Sequence, residues 1–125
     1  MANELTLGAN LGYAKNETTV ERTVSAFQVT VAGNGLNSLT AYVAPTAETA
    51  IPLGSVTLPG GWLYLRNNDP TNFVTLRTQV GGEIISKMLP GDFVELRMPD
   101  TSPIVVPSTQ CDTAPCSLSL AVFDK

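Results

Sequence analysis

Glycine and proline interrupt this chain at short, near-regular intervals, and no window sustains the apolar periodicity of a helix. The 10 glycines and 9 prolines separate runs rich in β-branched and aromatic residues, the pattern of an all-β sandwich or barrel. At 125 residues, one such domain can bury a core without staples. The spacing predicts eight or nine strands in two antiparallel sheets packed face to face, in jelly-roll-like or Ig-like order.

Read along the chain, "NELTLGANLGY" sets Leu5, Leu7, Ala9, Leu11 and Tyr13 on one face of a first strand. Residues 1–15 are expected to form an N-terminal strand or arm, and 16–125 a single β-sandwich domain. In "TTVERTVSAFQVTVAG", Val20 and Val24 hold one phase and Phe27, Val29 and Val31 the other, so a β-bulge or a change of sheet is expected between them. "GNG" at 33–35 reads as a turn favouring positive φ, "LNSLTAYVA" as a strand, "APTAETAIP" as a longer connection and "LGSVTLP" as a short strand. "GEIISKML", "DFVELRM" and "SLSLAVF" complete the set, with a Pro-rich crossing, "PDTSPIVVPS", before the last. The N-terminal segment and the last strand are expected to be pinned by neighbouring molecules.

The most informative stretch is "PGGWLYLRNNDPTNFVTLRT", where two alternating runs flank an Asn/Asp/Pro loop. It reads as a hairpin with Leu63 opposite Leu76 and Leu65 opposite Val74. That register sets Arg66 beside Phe73 and Trp62 beside Arg77 on the other face, as cation–π neighbours. In "DFVELRM", Val94, Leu96 and Met98 point inward, placing Arg97 and Glu95 outward. Arg66, Arg77 and Arg97 are then expected on one outer face with Trp62 and Tyr64.

This unit admits four uses. A calcium loop from Asp69, Asn67 and Asn72 has a single carboxylate, too few hard oxygens for the ion. A single-strand nucleic-acid platform of Trp62, Tyr64, Phe73 and the arginines is opposed by a net charge of −4. A glycan platform would use the same aromatics with the polar loop. An interface covered by another sheet or subunit fits the pairing of aromatics with arginine best.

Composition narrows the rest. The chain has no histidine, which removes Ser-His and Cys-His nucleophile pairs and the commonest metal ligand. "AGNGLNS" lacks the Lys-Ser/Thr ending of a phosphate loop. Glu83, Asp92 and Glu95 lie beside turn signals, and "LPGD" at 89–92 reads as a Pro-Gly type II turn. Cys111 and Cys116 lack the partners of a zinc site and the spacing of a redox motif, and are expected as reduced thiols at a strand end. No catalytic residue, cofactor or metal site is expected, and a hydrolase with an acidic pair ranks last. No apolar run reaches the length of a membrane span, and "MANELTLGANLGYAK" lacks the basic start and apolar core of a signal peptide, so synthesis in a cytoplasm is expected. Only 14% of residues are charged, a composition suited to a surface covered by partners.

Residues 58–98 resemble, over about a third of the chain, small virion proteins of tailed bacteriophages. The shared elements are a Gly-led strand (Gly61–Arg66) that ends in an Arg-Asn step, an Asp-x-x-Asn loop (Asp69–Asn72), a strand (Phe73–Arg77), a glycine turn (Gly81–Gly82) and Leu-Pro-Gly-Asp (Leu89–Asp92). The resemblance implies a non-enzymatic structural subunit of the virion, made in the bacterial host cytoplasm. Among such proteins are capsid cement or decoration proteins, which bridge major capsid protein subunits as dimers or trimers. The expected partners are that shell protein and copies of the chain itself, with no direct nucleic-acid or membrane contact. The expected interface residues are Leu5, Leu7, Leu11, Tyr13, Trp62, Tyr64, Arg66, Arg77 and Arg97. The alternatives are a tail or connector component, or a glycan-binding β-sandwich that contacts the host surface.

Overall fold

The computed structural model describes the backbone of residues 3–125 and the side chains of residues 5–125, and these form antiparallel sheets without a helix. The chain divides into two compact units, one ending at Ala32 and the other running from Gly33 to Lys125.

The first unit is one long hairpin. Strand β1 (Asn3–Lys15) pairs antiparallel with β2 (Thr18–Val31) along its whole length. Residues 1–15 are therefore half of a ribbon, and the division between units falls after Ala32 rather than after residue 15. The two-residue turn, Asn16 and Glu17, has φ of 50° and 65°. Positive φ at both positions is the type I′ geometry, whose twist matches that of the strands it joins. A bulge lies where Leu7 faces Phe27 but Ala9 faces Val24, which is where the phase of "TVSAFQV" flips.

The second unit holds eight strands: β3 (Leu36–Ala44), β4 (Thr49–Ala50), β5 (Trp62–Asn67), β6 (Val74–Arg77), β7 (Ile84–Met88), β8 (Phe93–Arg97), β9 (Ser108–Cys111) and β10 (Cys116–Phe123). With the hairpin, the described residues form ten strands, against the eight or nine expected. The sheet orders are β3-β10-β5-β8 and β4-β9-β6-β7. Alternation decides what is buried. Leu63 and Leu65 of β5, Val74 and Leu76 of β6, and Leu118, Leu120 and Val122 of β10 are all buried in one core, with Met88, Cys111 and Cys116. Because both sheets feed that core, the unit is β-sandwich-like.

Several expected elements sit elsewhere. "LGSVTLP" forms turns rather than a strand, while two residues of "APTAETAIP" make β4. Gly33 and Gly35 are not positive-φ turn residues. A Cβ on either would collide with the Asp124 side chain, so close approach is what demands glycine there. The 89–92 turn is as expected: Gly91 has φ of 88° and Asp92 N–H donates to Leu89 C=O at 3.0 Å.

The last strand needs no neighbouring molecule to hold it. Strand β10 lies between β3 and β5, and the Asp124 carboxylate accepts from the N–H groups of Gly35 (2.6 Å), Thr57 (2.9 Å) and Leu58 (3.0 Å). Gly33 N–H also donates to Lys125 C=O at 3.0 Å.

Candidate functional site

The stretch 59–78 is not a hairpin. Strand β5 belongs to one sheet and β6 to the other, and the Asn/Asp loop carries the chain between them. The sides of β5 are occupied by β10 and β8, so β6 has no edge to join. The expected inward set, Leu63, Leu65, Val74 and Leu76, is nevertheless buried in full.

The loop is fixed from within. Asp69 Oδ1 accepts from Asn72 N–H at 2.6 Å and Thr71 N–H at 2.9 Å, and these two donors hold its carboxyl below the ordinary range. Buried Asn67 donates through Nδ2 to the carbonyls of Asn72 (2.9 Å) and Met88 (3.1 Å), and its Oδ1 accepts from Asp69 N–H at 2.9 Å. Of the side chains named for a calcium loop, Asn67 and Asp69 thus each accept from backbone N–H groups through Oδ1, and Asn72 Oδ1 accepts from the Thr113 hydroxyl at 2.9 Å. Among the described residues, no three His, Cys, Asp or Glu side chains are grouped to hold a metal.

The outer face of the β3-β10-β5-β8 sheet brings together four of the expected residues. Trp62 lies opposite Arg97, Tyr64 opposite Glu95 and Arg66 opposite Phe93. The Arg97 guanidinium sits 4.9 Å from the Trp62 ring centroid and donates to Gly60 C=O at 2.8 Å. Tyr64 and Phe93 form a tilted aromatic pair at 6.5 Å, and Phe93 is 55% exposed. Arg77 is the exception. It lies on β6 in the other sheet, where its Nε is 3.5 Å from Glu48. Glu48 is itself held below the ordinary carboxylate range, mainly by Gly81 N–H and then the Ser108 hydroxyl. Phe73 likewise meets Lys87, at 3.9 Å, rather than Arg66. Both pairings failed for one reason: they assumed that β5 and β6 are neighbours.

The remaining four expected residues form one face of the hairpin. Leu5, Leu7, Leu11 and Tyr13 alternate along β1, with Val29, Phe27, Arg22 and Val20 directly across from them on β2. The bulge brings Phe27 and Val29 into phase with Val20 and Val24, so the apolar residues of both strands share one side. Leu11 is 63% exposed, Val24 53%, Tyr13 52% and Phe27 43%. Val20, Val24 and Phe27 were not named as contact residues from sequence. The phase flip was the signal for them, once β2 is read as the partner of β1.

A shallow cleft of about 210 Å³ is lined by Phe73, Thr75, Gln110, Cys111 and Asp112. Both cysteines are free and buried. Burial, reinforced by the neighbouring Cys111 thiol, pushes the Cys116 thiol up to about 12, where the nucleophilic thiolate is not populated at neutral pH. The acids Glu83, Asp92 and Glu95 do not converge: Glu83 precedes β7, Asp92 caps the 89–92 turn through Leu89 N–H, and Glu95 faces outward on β8. Comparison with protein families, curated proteins and solved structures yields no match.

Proposed function

We propose that the protein is a non-enzymatic structural subunit of a bacteriophage particle, a capsid cement or decoration protein that stabilises the shell by bridging major capsid subunits. The observation that carries this reading is the hairpin: a long ribbon with its apolar residues on one side, where Leu11, Tyr13, Val20, Val24 and Phe27 are exposed. Scattered apolar residues on a surface are ordinary, but a contiguous row marks a contact surface.

The second unit supports the same reading. Its orders, β3-β10-β5-β8 and β4-β9-β6-β7, support reading it as a jelly roll, an architecture found in viral capsid domains. The resemblance of residues 58–98 to small virion proteins points the same way. The mechanism is mass action: a subunit that binds only the assembled shell stabilises it, and many copies compound the gain.

Quantitative mass spectrometry of purified particles from the native source tests this directly. Copies comparable in number with the major shell protein are expected. A handful per particle would move the chain to the tail or connector, and absence would overturn the virion reading.

A further inference from the structure

We infer that the apolar face of the hairpin is covered by the same face of a second copy, with the two ribbons running tip to base about a two-fold axis through Ala9 and Val24. This rests on the reading of that face as a contact surface and names its partner.

The first argument is stability. A two-stranded hairpin is marginal in water, and this one leaves the larger part of its Leu11, Tyr13, Val24 and Phe27 row uncovered or half-covered. A second apolar ribbon turns it into a two-layer, four-stranded unit with an interior.

The second argument is position along the ribbon. The cross-strand pair Ala9 and Val24 lies midway between Leu5–Val29 at one end and Tyr13–Val20 at the other. A two-fold axis across the strands at that level sets Tyr13 over Leu5 of the second copy. It also brings the smallest residues of the row, at the bulge, together at the centre, where the ribbons approach most closely.

The third argument is charge. Arg22 is the only charged residue between the ends of this face. Its Nη1 donates to the neighbouring Glu21 carbonyl at 2.8 Å, and no ion pair with an acid forms there among the described residues. In the tip-to-base arrangement each Arg22 lies over Phe27 of the second copy, a cation–π contact. The tip-to-tip alternative brings both guanidinium groups to one level, where they repel. A single ribbon face is smaller than the roughly 800 Å² per partner of a standard interface, so weak, concentration-dependent association is expected.

Single-cysteine substitutions in the full chain test the geometry. Val24→Cys places both thiols at the axis, and a short bismaleimide is expected to link the dimer. Tyr13→Cys places its thiols about 27 Å apart, and no link is expected. Val24→Asp should weaken dimerisation at least about tenfold in sedimentation, while Trp62 fluorescence reports an intact second unit. A chain that stays monomeric throughout overturns the inference. So does linking at Tyr13→Cys as efficient as at Val24→Cys, or undiminished dimerisation of Val24→Asp. A dimer missing from particles would sink the virion reading alone, and a monomer present at shell-like copy number would sink the dimer alone.

Discussion

Asp124 shows how much one side chain organises. It is 3% exposed, and its carboxylate joins three backbone donors from two segments, Gly35 before β3 and Thr57–Leu58 before β5. Burial alone would raise its pKa. The N–H groups of Leu58, Thr57 and Gly35 more than reverse that, and the folded value lies below the ordinary aspartate value. A depressed folded pKa contributes stability that is present above the unfolded value and lost as pH falls through the folded one. Unfolding in urea, followed across the acid range, should therefore show stability declining below about pH 4. Asp124→Asn should cost about 2–3 kcal/mol at neutral pH and flatten that decline, because the amide keeps one acceptor oxygen and turns an NH2 group, which cannot accept, toward the donors of the other oxygen. Sequence inspection finds Asp124 only as a terminal acid. The two glycines that reveal it, Gly33 and Gly35, looked like an ordinary turn, because a residue type reports that space is short without saying what fills it.

At the scale of elements, alternation was a sound guide to faces and a poor one to neighbours. Leu63, Leu65, Val74 and Leu76 were read as inward and are buried, since the pleat fixes the face whatever lies alongside. Their pairing was misread because a six-residue loop can close a hairpin or arch between sheets, and both put the same side chains in the core. The first hairpin was missed for a different reason. Its turn is Asn-Glu, and Glu17 at positive φ is a residue that such turns seldom use, so no Asn-Gly signal marked it. The β9–β10 connection carries its own test. Cys111 and Cys116 flank it, both buried, and the Cys116 thiol is pushed up to about 12 by burial first. Iodoacetamide at neutral pH should leave both thiols unmodified in the folded protein and label both in denaturant, as intact-mass measurement would register.

On the scale of the whole molecule, the two units divide their roles by composition. Every residue of the buried core, from Ala44 to Val122, belongs to the second unit, whereas Leu11, Tyr13, Val24 and Phe27 of the hairpin are exposed. Deleting residues 1–32 should therefore leave the second unit folded, with the Trp62 emission maximum unchanged and the thermal midpoint shifted by no more than a few degrees. The same deletion should abolish self-association. The all-β class and its low charge were legible from sequence because they are sums over many residues. The partition into units was not, since it depends on which strand pairs with which, and pairing is a long-range choice.

The position of β10 between β3 and β5 also sets the order in which the second unit can be built. Until residues 116–123 leave the ribosome, β3 and β5 have no common neighbour, although both were synthesised long before. The apolar sides of those strands must wait uncovered through most of translation, which is when aggregation competes with folding. The second unit of a chain arranged this way closes only once β10 is at hand, so a ribosome that stalls before β10 leaves β3 and β5 without the strand that joins them.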